Sequence, residues 1–354
     1  MREVFSLASR GTGRVSPNPL VGALLVKNGQ VVARGYHRRF GGPHAEAECL
    51  RAYNGSTSGT TLYVNLEPCS HDGKTPPCAD LLIQRGIPRV VVAMKDPNPL
   101  VSGRGISRLR NAGVHVVTGI LEKEAVALNR HFVHHIRSRR PYVHVKVAQT
   151  LDGRLTMPHG MWFTSVQSRR LVHTWRSTHD ALMVGAGTIA ADDPQLTVRG
   201  VRGRNPDVVI LDGRMTVSPR ARVFRPHDRR VILCVTAPAL GRQRDRFQRL
   251  LARGNVELVV VRSRRPGIPL EPVLHALYRL NIGSVMVEGG SALFSQFFAG
   301  SLIDELSVFI APVLSGEGPT ALPGRPSSAV QHRLLRRATS ERVGHDLLLR
   351  AFKD

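Results

Sequence analysis

The sequence predicts an α/β protein made of two layered domains, and three observations carry that prediction. Its 354 residues suffice for about two domains. Apolar strand-like runs alternate with helical stretches over short connections in both halves, the pattern of a sheet with helices on both faces. A basic segment ending in proline, Arg137-Ser138-Arg139-Arg140-Pro141, divides the halves and places the units at residues 1–138 and 139–354.

In the first half, residues 2–9 read as a short helix. Residues 20–27 and 30–36 read as strands joined by Asn28-Gly29, a type I′ hairpin signal. Gly41-Gly42-Pro43 breaks the chain before a helix from His44 to about residue 53. A strand over 61–66, a helix over 78–85 behind Pro76-Pro77, a strand over 90–93, a helix over 105–111 and a strand over 114–118 follow. Residues 122–137 read as one helix leading out of the domain. In the second half, strands are expected over 142–148, 181–184, 208–211, 231–235, 257–261 and 284–287. Helices are expected over 167–177, 269–280 and 291–299, and residues 306–311 and 346–351 as a late antiparallel pair.

Composition narrows the function classes. With 42% hydrophobic and 21% charged residues the chain is ordinary globular protein, and no apolar run approaches the roughly 20 residues of a membrane span. The N-terminus lacks the apolar core of a signal peptide, so a cytoplasmic protein is expected. A net charge of +24 favours phosphate-bearing ligands, whether nucleic acid or small molecules. Only 5% of residues are aromatic, which argues against a base-stacking platform. Four cysteines make no disulfide framework, and two of them cluster near a histidine.

That cluster carries chemistry. Pro43-His44-Ala45-Glu46 precedes Glu67-Pro68-Cys69 and Cys78. One His and two Cys suit a catalytic Zn²⁺ with a fourth position left for water. Cys78 opens a helix, where thiolates are stabilised. Zn²⁺ lowers the pKa of bound water from about 15.7 to roughly 7. Glu46 would carry protons from that water to a ring nitrogen and then to the departing amine, the arrangement of zinc deaminases acting on nucleobases and related heterocycles. A closed structural site would need a fourth protein ligand, for which His71 is the candidate. In the second half, Glu288-Gly289-Gly290-Ser291 lies between a strand and a helix, where glycines let backbone N–H groups approach a pyrophosphate. Arg176 and Arg199 can offer paired donors to a phosphate.

The run from Asn65 to Cys78 closely resembles the signature of the bifunctional riboflavin-biosynthesis deaminase/reductase family. So do Pro17-Asn18-Pro19-Leu20-Val21-Gly22, the run from Asp96 to Gly105, Leu128-Asn129-Arg130-His131-Phe132, Lys146 to Arg154, Asp180 to Thr188, Asp192 to Arg199, and Val287 to Ser291. The resemblance covers almost the whole chain. It implies a cytidine-deaminase-like three-layer α/β/α domain followed by a dihydrofolate-reductase-like α/β domain, with Zn²⁺ and NADPH as cofactors. It implies His44, Cys69 and Cys78 as metal ligands, Glu46 as proton shuttle, and Asn18, His71, Lys74 and Thr75 as substrate contacts. In the second domain it implies NADPH contacts at Ala148, Trp162, Thr188, Asp192, Gly290, Ser291, Ala292, Leu293, Phe294, Ser295 and Gln296. It implies substrate contacts at Arg176, Leu196, Arg199 and Glu288, with Lys146 and Asp192 near the reacting centre.

The implied reactions are hydrolytic deamination of 2,5-diamino-6-ribosylamino-4(3H)-pyrimidinone 5′-phosphate and NADPH-dependent reduction of the resulting 5-amino-6-(5-phosphoribosylamino)uracil to its ribitylamino product. Small phosphorylated pyrimidines are then the partners, with no nucleic acid or membrane partner expected and a homo-oligomer possible. The chain departs from the family's Gly-x-Ser-x-Trp at Gly160-Met161-Trp162, which is two residues shorter and has no Ser in register. Thr164 or Ser165 is the candidate replacement. The alternatives are a deaminase with a weakened or lost reductase, and a deaminase acting on tRNA.

Overall fold

The computed structural model describes residues 1–70, 77–99, 101–157, 162–263, 267–322 and 337–353. The chain divides into two compact units, Met1–Arg140 and Pro141–Asp354.

The first unit runs α1 (Arg2–Ser9), β1 (Gly22–Lys27), β2 (Gln30–Tyr36), α2 (Ala45–Arg51), β3 (Thr60–Leu66), α3 (Cys78–Gln84), β4 (Arg89–Met94), α4 (Arg104–Asn111), β5 (His115–Thr118), α5 (Glu122–Leu128) and α6 (Arg130–Ser138). Asn28 and Gly29 both have positive φ, as a type I′ hairpin requires, and join β1 to β2. The sheet order is β2-β1-β3-β4-β5. β1 is antiparallel to both β2 and β3, and β3, β4 and β5 are parallel. The segments leaving β2, β3 and β4 therefore emerge at one edge of the sheet. Helices α2, α3 and α4 bury Ala45, Leu50, Leu82 and Leu109 on one face, and α1 and α5 bury Leu7 and Ala125 on the other. This is the three-layer arrangement.

The single helix expected over 122–137 is in fact two. It breaks at Asn129 (φ −99°, ψ 22°), whose side chain is committed elsewhere. Asn129 Oδ1 accepts from Leu20 N at 2.8 Å and its Nδ2 donates to Leu20 O at 3.0 Å. A buried amide that pairs so fully with a distant backbone fixes the chain direction where a helix would otherwise continue.

The second unit runs β6 (Tyr142–Thr150), α7 (Val166–Thr178), β7 (Ala181–Gly185), α8 (Ala186–Asp192), β8 (Asp207–Leu211), β9 (Val231–Thr236), α9 (Ala237–Arg242), α10 (Arg244–Leu251), β10 (Val256–Val261), α11 (Leu270–Arg279), β11 (Ser284–Val287), α12 (Ser291–Gly300), β12 (Glu305–Ala311), β13 (Arg337–Val343) and β14 (Asp346–Phe352). Among the described residues its nine strands take the order β10-β9-β8-β7-β11-β6-β12-β14-β13. The first seven are parallel, and β14 pairs antiparallel with both β12 and β13. Two cores flank the sheet, one around Phe294 and Phe297 and the other around Phe224 and Ile210. The late antiparallel pair is thus β12 and β14. Gly187 and Thr188 lie in the first turn of α8. Helices α9 and α10 and edge strand β13 were not anticipated. No described helix is long and apolar enough to cross a membrane.

Candidate active sites

The edge at which β2, β3 and β4 deliver their loops gathers the chemistry of the first unit. His44 is the N-cap of α2, Cys69 follows β3 by three residues, and Cys78 is the first residue of α3. His44 Nδ1 lies 3.5 Å from Cys69 Sγ and 3.3 Å from Cys78 Sγ. The three ligand atoms fall within 4.8 Å of one another. The backbone N–H of Cys78, free at a helix start, points at Cys69 Sγ at 3.3 Å.

The two thiols are joined by a hydrogen bond that favours the proton on Cys78. The hydrogen bond with Cys78 holds Cys69 down at about 4, against the cost of burial and with His44 helping. The same bond, with burial, pushes Cys78 far up. A metal must displace that proton. One nitrogen and two sulfurs with no fourth protein ligand among the described residues is a donor set that fits Zn²⁺ in an open, catalytic site. Glu46, in the first turn of α2, is 3% exposed. Burial first, then the charge of Cys69, pushes its carboxyl up to about 7, where it can both accept and release a proton near neutrality.

A pocket of about 270 Å³ opens on His44, Glu46 and Cys69 and is also lined by Asn18, His37, Asp96 and Asn98. His37 was missed by sequence reasoning, because nothing near it in the chain marks it. Its Nδ1–H donates to Pro43 O at 2.9 Å, so Nε2 carries the lone pair and accepts from Asn18 Nδ2 at 3.2 Å. Burial lowers the His37 pKa and keeps the ring neutral. One N–H of Asn18 Nδ2 is thus spent on His37, which fixes the direction in which Oδ1 points. Glu67 was also missed, although it stands inside the motif. Its buried carboxylate accepts the backbone N–H groups of Asp96, Gly103, Gly105 and Ile106 at 2.9–3.2 Å. This pins the segment carrying Asp96 and Asn98 to the end of β3. Gly105 is required there, since a Cβ would sit 1.9 Å from Pro68 O. His71, Lys74 and Thr75 lie outside the described residues.

The second unit repeats the logic at the carboxyl ends of parallel strands, where open α/β sheets bind ligands. Val287 of β11 pairs with Val145 of β6 and with Met183 of β7, so Glu288 and Lys146 emerge side by side. Arg176 of α7 grips Glu288 with two bonds of 2.6 and 2.7 Å, and its Nη1 reaches Thr197 O at 3.1 Å. Burial opposes an ionised Glu288, but Arg176, with Lys146 and His173 adding, holds its carboxyl down at about 2. Burial and Arg176 depress Lys146, and burial and the same arginine depress His173 to about 4.

The turn after β7 faces the turn after β11. A Cβ on Gly290 would lie 3.8 Å from Thr188 Oγ1, and a Cβ on Gly185 or Gly187 would meet nothing within 4 Å. Gly289 has no such freedom, because Leu293 packs within 2.8 Å of its Cβ position. Open glycine backbone beside the first turn of α12, with its unpaired N–H groups, fits a dinucleotide's pyrophosphate.

The remaining expected contacts divide. Ala148 is partly exposed on β6, and Asp192 ends α8, exposed and one turn after Thr188. Ser291 Oγ donates to Thr320 O. Ala292 and Gln296 are exposed and Ser295 is half-buried. Leu293 and Phe294 point into the core, so only their backbone can serve a ligand. Leu196 is buried with φ +54°, and Arg199 is exposed, its N–H bonded to His173 Nδ1 at 3.1 Å. Trp162 is 77% exposed, with Arg169 over its ring. Gly160 and Met161 lie outside the described residues. Ser165 is no replacement for the family serine. It is 3% exposed and caps α7, accepting from Ser168 N and donating to Val343 O.

Fold and sites define the class: a zinc-dependent deaminase of the cytidine deaminase type, followed by a nucleotide-dependent reductase. Residues 1–94 match the cytidine and deoxycytidylate deaminase zinc-binding region, and residues 141–349 match the RibD C-terminal domain. The chain is 40% identical to the riboflavin biosynthesis protein RibD of Aquifex aeolicus over 352 residues, 99% of this chain and 96% of that one. It is 37% identical to the Escherichia coli K12 protein of that name, covering 92% and 90%. A crystal structure from Thermotoga maritima, described as a diaminohydroxyphosphoribosylaminopyrimidine deaminase/5-amino-6-(5-phosphoribosylamino)uracil reductase, superposes with a TM-score of 0.86 at 38% identity, covering 100% and 97%. Acinetobacter baumannii RibD superposes with 0.87 at 35%, covering 99% and 97%. The chain belongs to the RibD family, the bifunctional deaminase/reductases of riboflavin biosynthesis, whose cofactors are zinc and NADPH.

Proposed function

We propose that the first unit deaminates 2,5-diamino-6-ribosylamino-4(3H)-pyrimidinone 5′-phosphate and that the second reduces the deaminated 5-amino-6-(5-phosphoribosylamino)uracil, with the residue roles that follow. The observation that carries the deaminase assignment is the convergence of His44, Cys69 and Cys78 within 4.8 Å at a pocket that also holds buried Glu46. These three residues hold Zn²⁺, which when bound makes water a nucleophile at neutral pH. Asn18, held by His37, presents Oδ1 to an amino or N–H group of the pyrimidine. Glu46 takes one proton from the attacking water and gives it to the ring nitrogen, then takes the second from the resulting hydroxyl and gives it to the departing amine, so a carbonyl and ammonia result. His71, Lys74 and Thr75, between the two cysteines in sequence, contact the substrate, and Lys74 supplies a cation for its phosphate.

In the second unit a bound NADPH would supply the hydride for the ribosyl C1′. Thr188, Asp192 and the backbone of Gly290 and Ser291 hold it, with Ala148, Trp162 and the rest of the 292–296 turn at its borders. Arg176 is spent on Glu288, so that pair orients the substrate's hydroxyl and N–H groups, while Arg199 is the cation for its phosphate. Lys146 stands beside Glu288 as the proton donor. Leu196 closes the apolar side.

The test is the purified chain, with zinc loaded, on the diaminopyrimidine. Ammonia is released without NADPH, and NADPH is consumed only once the deaminated product exists. Release from tRNA but not from this small substrate would replace the reading. We further place the protein in the cytoplasm, and as a homo-oligomer. The exposed edge strand β13 and the exposed Leu347 and Leu349 of β14 support the second point. Sedimentation at working concentration measures it, and a monomer would overturn it.

A further inference from the structure

Segment 195–199 carries two of the residues assigned to the reductase substrate, and something must hold it. Leu196 adopts a left-handed backbone (φ +54°) that branched side chains avoid. Two carbonyls flank that turn, those of Gln195 and Leu196. Both are met by one group: Arg229 Nη1 donates to Leu196 O, and Nη2 donates to Gln195 O. Arg229 is 5% exposed, an unusual place for a guanidinium, and Nη2 also lies 3.4 Å from Val223 O. Burial pulls it down only to about 10, so it stays a cation at neutral pH.

The neighbouring residue grips the same segment. Asp228 Oδ2 accepts from Asn205 Nδ2 at 2.7 Å, and Asn205 Oδ1 accepts from Val198 N at 2.8 Å. Between these two anchors, Thr197 O accepts from Arg176, which holds Glu288. The next N–H, that of Arg199, reaches His173.

We propose that Arg229 is a positioning residue of the reductase, which fixes segment 195–199 so that Leu196 and Arg199 are presented beside the Arg176–Glu288 pair. It touches neither substrate nor cofactor. It acts through the two carbonyls it clamps. The proposal rests on the reading of Arg176, Leu196, Arg199 and Glu288 as substrate-facing. It goes beyond that reading by placing part of the substrate affinity in a buried residue outside the pocket.

The test measures dissociation constants by calorimetry on the full zinc-loaded chain, for 5-amino-6-(5-phosphoribosylamino)uracil and separately for NADPH. Arg229→Met leaves the carbonyls of Gln195 and Leu196 without this donor and is expected to weaken pyrimidine binding about tenfold or more. NADPH binding stays within about twofold, and ammonia release by the first unit is unchanged. Arg229→Lys keeps a cation but loses the planar fork, and falls between wild type and Arg229→Met. Should Arg229→Met fail to bind NADPH, Arg229→Lys decides: weaker pyrimidine binding with normal NADPH binding sustains the proposal. Unchanged pyrimidine binding, or a parallel fall in both affinities in both variants, overturns it. A wild-type chain that binds both ligands yet oxidises no NADPH would sink the reductase reading and leave the Arg229 comparison readable. A wild-type chain that does not bind the pyrimidine would overturn both.

Discussion

Glu46 and Glu288 are the same residue type, both shut away from water, and their neighbours send them in opposite directions. Glu46 sits beside the thiols, and burial with the charge of Cys69 lifts it to about 7 against the pull of His44. Glu288 is equally desolvated, but Arg176 and Lys146 drive it to about 2. Burial alone does not set protonation, and the charge beside the carboxyl decides. The first unit has a carboxyl that can exchange protons during turnover. The second has a fixed anion that aligns an arginine and stays charged throughout.

That contrast can be broken most directly at Glu46. Glu46→Gln keeps shape but not proton transfer, and should lower the rate of ammonia release by about 10²- to 10⁴-fold. Bound zinc and NADPH oxidation with supplied deaminated product should be unaffected. Loss of zinc in this variant, read by elemental analysis, would show Glu46 to be a ligand instead.

Glu288→Gln should act on stability as well as rate. Removing one partner of a buried pair leaves Arg176 uncompensated and costs about 3–5 kcal/mol. Calorimetry should show the transition of the second unit moving down while ammonia release persists. The wild-type pair also predicts a pH dependence. The folded Glu288 pKa, about 2, lies below its ordinary value of 4.5. Its stabilisation is therefore complete above about pH 4.5, declines as pH falls, and is gone below about pH 2. At about 1.36 kcal/mol per unit it amounts to roughly 3 kcal/mol. Acid unfolding of the second unit should lose that slope in Glu288→Gln, and retention of it would point to another carboxyl.

The smallest expected effect separates structure from binding in the second unit. Ser165→Ala removes a helix cap and should cost about 1 kcal/mol of stability. The KM for the pyrimidine should not change, and a rise would return Ser165 to the substrate site.

The first unit's metal centre was legible because its ligand types are rare, clustered and set at turns between predictable elements. Strands β6 to β12 were legible as apolar runs with short connections. What escaped depends on distant partners. Asn129 breaks a helix because of Leu20, 109 residues away, and His37 matters only because Asn18 and Pro43 fold against it. The Arg176–Glu288 pair spans 112 residues, and isolated arginines in a chain of charge +24 carry no such signal. Helix α8 escaped because it is short and its first turn contains glycine, a weak helix former. Strand β13, exposed along nearly all its length, lacks the apolar alternation by which strands are recognised. Ser165 shows the reverse error, a hydroxyl in a plausible register that the fold uses as a cap.

The most direct test of the account is a cross-experiment on one preparation. Wild type, Glu46→Gln and Glu288→Gln are each given the diaminopyrimidine with NADPH, and ammonia and NADPH are followed together. The account predicts both signals in wild type, neither from this substrate in Glu46→Gln with NADPH loss restored by deaminated product, and ammonia with little NADPH loss in Glu288→Gln. Equal impairment of both reactions in both variants would contradict it.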